Sequence, residues 1–458
     1  MKSFKKLRKK YPKFIYRDYC YKILRNDLKI FFDFVVDSDI RFKPVLIIKN
    51  INQKRLSLVR NGTLNNLIFH LGLMEIPSYW KATCSPEIVI EAGFLNQEQI
   101  KWWKDLIING MGQFFYENKI DWRKPNFFRI ESSNRDGFPV EHRKAIPVKN
   151  SFKNRYLVPM REGKDSIVTL EKLKKQKKEI NAFVVNPTKA CKDVLKIARI
   201  KNPIIVERKI DKTLLELNKK GFLNGHTPFT AVLSFLSVFC AVLFNYKHIA
   251  FSNEKSADEG NLKYLGKIIN HQYSKSSEFE KKFKDYCKKY LVPTPNFGVG
   301  INYFSFLRQY TELEIARMFS RYPKYFPFFL SCNEAYKTDS GRKKPKKKWC
   351  GKCPKCLFVY AVLYPYLDKK QLLKIFGKDL FEDKKLLPVM KSLIGEARLR
   401  PSTMLGTTAR QRSHKPFECV GTKKESRMAF NLSLKKAKKL GKIPYLLKKY
   451  NEINRIKK

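Results

Sequence analysis

The apolar and polar positions of this chain fall into distinct rhythms, and each predicts an element. Short apolar runs rich in β-branched and aromatic residues predict strands at Phe31–Val36 and Pro44–Ile48. Between Gln97 and Asn109, Ile100, Trp103, Leu106 and Ile107 recur at helical spacing and predict an amphipathic helix. From Tyr156 onward the pattern becomes regular. A strand at Tyr156–Met160 is followed by a turn, Arg161–Ser166, and a helix over Ile167–Lys178. Next come a strand at Ala182–Val185, a helix at Lys189–Arg199 and a strand at Pro203–Val206. Phe229–Phe244 then runs sixteen residues without a charge and leads to an apolar strand in His248–Asn253. Strands alternating with helices imply a parallel sheet covered on both faces, which takes ligands beyond the carboxyl ends of its strands. Arg161–Ser166, Asn224–Thr227 and Ser252–Asn261 fall there. The fold expected is α/β, with an α+β region over 1–150, the α/β region over 151–330 and a mostly helical segment over 331–458.

Phe229–Phe244 is the one stretch that competes as a membrane span. It is shorter than the roughly 20 residues a span needs, and it carries Thr230, Ser234 and Ser237. A buried helix that begins after Pro228 is the expectation, and no transmembrane segment is expected. Scattered cysteines and the lack of a leader-like start point to a reducing cytoplasm.

Composition adds size and charge. A chain of 458 residues, 43% hydrophobic and 14% aromatic, is globular and long enough for more than one core. Its net charge of +54 favours polyanionic ligands. The surplus is spread over the whole chain, so it reads as a lysine-rich surface and implies no obligate nucleic acid. Its densest runs are Arg342–Lys348 and the tail Lys435–Lys458.

Two motifs carry chemistry. Cys332, Cys350, Cys353 and Cys356 form a C-x17-C-x2-C-x2-C set whose last three lie in Trp349-Cys-Gly-Lys-Cys-Pro-Lys-Cys356. Four thiolates at such spacing suit a closed structural zinc site, and the same spacing suits an iron–sulfur cluster. Gly163-Lys-Asp-Ser166 lies between a strand and a helix. Backbone N–H groups at a helix start favour phosphate there, with Lys164 adding charge and Ser166 a hydroxyl.

The second motif resembles the pyrophosphate-binding SGGxDS loop of the N-type (PP-loop) ATP pyrophosphatases. Arg161 stands where serine is usual and Glu162 where glycine is usual. A glutamate beside phosphates is unfavourable unless it turns away or holds magnesium. A wider set of segments resembles the MurL family of ATP-dependent UDP-N-acetylmuramoyl-L-alanyl-L-glutamate epimerases. The set comprises Ile76–Lys81, Gly163–Ser166, Asn224–Phe229, Ser252–Asn261, His271–Lys275, Trp349–Cys356 and Lys415–Gly421. The resemblance implies that ATP and Mg²⁺ activate the glutamate α-carboxylate as an acyl adenylate. A base then moves the α-proton, and AMP and diphosphate are released in peptidoglycan precursor synthesis. It places ATP on Arg161, Gly163, Lys164, Asp165 and Ser166. His226, Glu254 and Cys419 are candidates for proton transfer, with Glu259 and His271 also eligible. Asn253, Asp258, Glu259 and Asn261 are candidates for substrate or magnesium, and an acidic loop of this kind is otherwise simply solvated. An RNA- or nucleobase-modifying ATP pyrophosphatase would share the loop and the cysteines. A basic zinc module that binds RNA or DNA would share only the latter.

Overall fold

The computed structural model describes residues 3–37, 40–132, 152–293, 300–336, 349–396 and 420–455. Cys419 and the basic run Arg342–Lys348 lie outside the described residues.

An eleven-stranded sheet runs through the molecule. Its first part is built from β1 (Lys13–Leu24), β2 (Asp27–Val36), β3 (Ile40–Phe42), β4 (Val45–Ile48), β5 (Glu87–Ile90) and β6 (Arg129–Ser132). Its second part is built from β7 (Tyr156–Pro159), β8 (Ile180–Val185), β9 (Ile204–Lys209), β10 (His248–Phe251) and, after a small hairpin of β11 (Leu262–Tyr264) and β12 (Lys267–Ile269), β13 (Asn302–Ser305). The main path reads β13-β10-β7-β8-β9-β4-β2-β1-β5-β6, with β3 alongside β2. The strands β13, β10, β7, β8 and β9 are parallel, as the strand–helix alternation implies. β1 to β4 pair antiparallel.

β4 lies antiparallel against β9, with Val45 opposite Lys209 and Ile48 opposite Val206. The first part therefore continues the second as one sheet. β4 and β2 are the strands expected from their β-branched and aromatic runs. β1 escapes that reading, because only Phe14 and Tyr16 in its first half face the core and its second half is half-buried or exposed.

The sheet separates two cores. Along β7, Leu157 faces one and Val158 the other; along β8, Phe183 opposes Ala182 and Val184; along β10, Ile249 and Phe251 oppose Ala250. This period of two is what a doubly covered sheet requires. The first core holds the helices Asn61–Trp80, Gln97–Gly110, Phe229–Phe244 and Ser277–Tyr286. The second holds Lys164–Lys175, Lys189–Ile197 and Glu312–Phe319, and also the C-terminal helices. Phe229–Phe244 is apolar on all sides because it is buried between the sheet and Asn61–Trp80. Among the described residues no helix is long and apolar enough to cross a membrane. The described part of the basic tail lies in two packed helices, Lys423–Lys439 and Tyr445–Arg455, with Phe430, Leu434, Leu446 and Leu447 inward, most lysines outward, and Lys436 donating to the Tyr364 and Leu367 carbonyls.

One buried ion pair ties β9 to the helix Asn61–Trp80. Arg208 donates to both oxygens of Glu75 at 2.6 Å and also reaches Ser78 at 2.9 Å. Glu75 is 1% exposed. Arg208→Ala strands that carboxylate in the core, so a loss of about 3–5 kcal/mol is expected in urea unfolding. Glu75→Leu combined with Arg208→Met should restore most of it.

Candidate active site

The loop after β7 opens the site. Gly163 caps the helix Lys164–Lys175 in extended conformation with no side-chain cap, so its own residue supplies no acceptor to the first helical N–H groups. The helix starts a turn earlier than its apolar periodicity suggests, because Lys164 and Asp165 form its first turn. Glu162 turns inward and is 1% exposed. Its carboxylate accepts the Thr188 hydroxyl at 2.7 Å, and its carbonyl accepts the Leu330 N–H at 2.8 Å. The acid that would repel phosphate thus points away from the helix start. Ser166 Oγ folds back to the carbonyls of Arg161, at 2.6 Å, and Gly163, at 3.1 Å. Arg161 is exposed.

Lys164 is buried beneath the loop, its ammonium held by Asp165 and Glu312. Burial opposes its charge, but the two carboxylates outweigh this and hold its pKa above the usual lysine value. Burial would raise the pKa of Asp165, yet Lys164 and Lys355 keep it below the usual aspartate value. Asp165 also keeps about a quarter of its side chain exposed, at 27%. It is therefore the charged group of the first turn that faces outward.

The segment after β10 supplies the next groups. Ser252 Oγ donates to Thr169 Oγ1 at 2.8 Å, and Asn253 Nδ2 donates to Ser305 Oγ at 3.0 Å. Glu254 is buried, and its carbonyl accepts from Arg308 at 3.1 Å. Its charge is felt by Glu312, whose pKa is raised by burial and by the acids Asp165 and Glu254, against Lys164 and Lys355. Asp258 accepts the Ser277 N–H at 2.6 Å, and burial together with Glu425 raises the pKa of the exposed Glu259. Among the described residues, only the four cysteines bring three or more metal-ligand side chains together.

Asn261 Oδ1 accepts both the backbone N–H of His271, at 2.8 Å, and its ring Nδ1, at 2.7 Å. The ring is thereby assigned as the tautomer with the proton on Nδ1, leaving Nε2 as its acceptor. His226 packs edge-on, with ring centroids 6.2 Å apart. Burial lowers the pKa of His226 to about 4, with Lys81 and Lys275 adding to it. Burial also lowers that of His271 to about 3, with His226, Lys275 and Lys355 adding. Both values lie below the ordinary 6.5, so folding favours the neutral rings. Their stabilising contribution is complete above about pH 6.5 and is lost as the pH falls towards 4 and 3, where the unfolded chain binds more protons. Urea midpoints should fall between pH 7 and pH 5, and His226→Gln should flatten that fall.

The C-terminal segment closes the site. Lys355, between Cys353 and Cys356, is 8% exposed, and its Nζ is 3.9 Å from Glu312. Glu425, in the first turn of Lys423–Lys439, accepts the Glu312 N–H at 2.8 Å. Gly421 is needed for this closeness: a Cβ there would stand 2.5 Å from Phe358 and 2.7 Å from Glu425. Glu312 and Glu425 carry no motif and escape the sequence reading. Lys355 could have been found, since it lies within the cysteine motif.

The four cysteine sulfurs lie within 4.8 Å of one another, with Cys350–Cys356 at 3.6 Å and Cys353–Cys356 at 3.5 Å. Zn–S bonds of about 2.3 Å at tetrahedral angles separate sulfurs by about 3.8 Å, so the set fits one metal ion such as zinc. Gly351, at φ +62°, makes the turn, and Trp349 packs on Phe329 and Phe376 behind it.

Comparison with known proteins covers nearly the whole chain. Residues 5–306 match the MurL N-terminal domain, and residues 328–455 match the MurL C-terminal domain. Three similar proteins are each named UDP-N-acetyl-alpha-D-muramoyl-L-alanyl-L-glutamate epimerase. The one from Micromonospora sp. is 31% identical, over 81% of this chain and 75% of its own. That from Salinispora tropica is 32% identical, over 81% and 74%. That from Xanthomonas oryzae pv. oryzae is 31% identical, over 78% and 72%.

Proposed function

This chain belongs to the MurL family, and from that premise we propose that it is an epimerase inverting the terminal glutamate of UDP-N-acetylmuramoyl-L-alanyl-L-glutamate at the expense of ATP. The observation that carries the site assignment is a convergence at the carboxyl ends of β7 and β10. Gly163 opens the helix after β7, Ser252–Asn261 follows β10, and the charges of Lys275 and Lys355 act on both Asp165 and His271, which supports one shared site.

In this reading the triphosphate lies on the N–H groups of Lys164–Ser166, with exposed Arg161 able to swing onto it. The buried Lys164 holds Asp165 in place and touches no phosphate. Mg²⁺ would screen the phosphate charge, with Asp165 and Glu254 as the oxygen donors nearest the loop. The glutamate α-carboxylate attacks the α-phosphorus, and diphosphate leaves. The anhydride so formed withdraws electrons from the α-carbon and makes its proton removable. His226 or His271, kept neutral by burial, takes that proton, and Asn261 fixes the His271 ring for the task. A proton returned to the opposite face gives the D-centre, and water splits the anhydride to AMP. Glu254 is the alternative group for moving the α-proton, as the family resemblance implies. Cys419, outside the described residues, keeps the role that the family resemblance implies. The reading places the enzyme in the cytoplasm, where nucleotide-linked precursors and reduced thiols coexist.

The test combines labelled ATP with the UDP-muramoyl dipeptide in D₂O. AMP, diphosphate and a deuterated D-glutamate α-carbon are expected. ADP and phosphate, or AMP release with the glutamate wholly unchanged, would overturn the reading.

A further inference from the structure

A cavity of about 610 Å³ opens at the other edge of the sheet. Its lining comes from the stretch that leads into β7, from the end of Phe229–Phe244 that leads into β10, and from the start of the helix Asn61–Trp80. β7 and β10 run parallel from this edge, with Tyr156 opposite His248, towards Gly163 and Ser252. The cavity and the candidate active site therefore lie at opposite ends of the same strands. The helix Asn61–Trp80 repeats the separation: Thr63 near its start lines the cavity, and Lys81 after its end donates to the Gly225 carbonyl, about 30 Å of helix away.

Four cations line the cavity, Arg55, Arg60, Lys153 and Arg155, and no carboxylate among the described residues joins them. Three of the four are arginines in a chain where lysine far outnumbers arginine, so the lysine-rich surface does not account for them. Arg155 is part of the wall. It donates to the Phe244 and Asn245 carbonyls at 2.6 and 2.9 Å, lies 3.5 Å from Glu179 and stacks on Tyr246. Arg55 is held by one bond to the Leu243 carbonyl, at 3.4 Å, and by the Phe244 ring, 5.2 Å away, which leaves most of its five N–H groups for a ligand. Arg60 and Lys153 are exposed and have no carboxylate partner among the described residues. Arg60 also begins the helix with no side-chain cap bond, so the helix dipole adds to the positive field. Buried Phe152, Val59 and Leu243 give the cavity an apolar floor. Its volume suits a small molecule.

We propose that this cavity is a second ligand site, separate from the candidate active site, and that it takes a phosphate ester. The phosphate lies on Arg55 and Arg60, whose planar forks suit its several oxygens, and the apolar body lies against Phe152 and Val59. The assignment does not rest on the epimerase reading. Calorimetric titration of the full chain at fixed ionic strength, with phenyl phosphate as the probe, tests it. Arg55→Gln combined with Arg60→Gln should weaken binding at least about tenfold. Lys435→Gln combined with Lys439→Gln, which removes the same charge from exposed positions of Lys423–Lys439, should leave binding unchanged. Benzoate, with a similar ring and less charge, should bind at least about tenfold more weakly than phenyl phosphate. Urea unfolding checks each variant, and Arg60→Gln alone, at an exposed position, decides the matter should the arginine pair fail to fold. Equal weakening by the arginine and lysine pairs would reduce the effect to net charge and overturn the proposal. It is overturned too by wild-type protein that binds no phenyl phosphate, by benzoate binding equally well, or by an arginine pair that binds as the parent does. Phosphatidylglycerol vesicles held by wild-type protein but not by the arginine pair, with phenyl phosphate unbound, would make this face a membrane contact instead.

Discussion

Asp165→Ala should reduce formation of AMP and diphosphate by about a thousandfold or more, with the protein still folded. The size follows from the position of Asp165. It is the one carboxylate in the first turn of Lys164–Lys175, held by Lys164 and partly exposed where the triphosphate is proposed to lie. Loss of a preorganised charged group at a reacting phosphate costs on the order of 3–4 kcal/mol of transition-state stabilisation or more. The fold should survive because Lys164 keeps Glu312 as its counter-ion. Single-turnover assays with labelled ATP, alongside unfolding curves, give the comparison. A variant with more than a tenth of parent turnover would remove Asp165 from the reaction. Asp165→Asn sharpens the result, since it keeps the shape and loses only the charge.

Cys356→Ser should cost most of the bound metal and several kcal/mol of stability. Cys356 is fully buried at the start of the helix Pro354–Leu363, and its sulfur contacts those of Cys350 and Cys353. Metal binding at such a site is itself folding free energy, on the order of 10 kcal/mol in small zinc modules, though here the surrounding core supports part of the structure. Elemental analysis should find about one zinc per chain in the parent and little in the variant, with a lower urea midpoint. Cys20→Ser, at an exposed position far from the set, should change neither. Iron with sulfide in anaerobically purified parent protein would make the site a cluster instead. Activity should fall along with stability, because the knuckle that holds the metal also presents Lys355 to Glu312.

The part of the fold most legible in the sequence was the part with the simplest burial. β7, β8 and β10 are covered on both faces and read as short apolar runs; Phe229–Phe244 is covered on all sides and reads as one long one. β1 and the helix Asn61–Trp80 were not legible. In β1 the outer half alternates between half-buried and exposed, and apolar Cys20 and Leu24 stand at exposed positions beside Lys22. Asn61–Trp80 begins with polar Asn61, Asn65 and Asn66 and contains Pro77, yet almost its whole length is buried. At the site, the residues carried by glycine, histidine or cysteine motifs were legible, because such residues at fixed spacing have few structural uses. Glu312 and Glu425 were not. Each acts through a partner distant in the chain, and acids and lysines abound in this sequence. The inward turn of Glu162 was also beyond sequence reading, since it depends on Thr188 being brought beside it.

The pairing of β4 with β9 has a consequence for how the chain is made. β4 is synthesised early, but the strand that covers its open edge comes from the middle of the chain. At roughly 5–20 residues per second, that edge waits on the order of ten to thirty seconds after it leaves the ribosome. During that time Val45–Ile48 offers unpaired backbone and apolar side chains to any neighbouring nascent chain. Non-local pairing of this kind also slows folding once synthesis is complete. Fragments that stop before Ile204 should therefore aggregate or remain chaperone-bound, whereas those that also include the C-terminal helices of the second core should become soluble, as sedimentation of stalled-ribosome products of graded length would reveal. The joint that makes one sheet of two regions thus sets the earliest moment in translation at which the first of them can be safe.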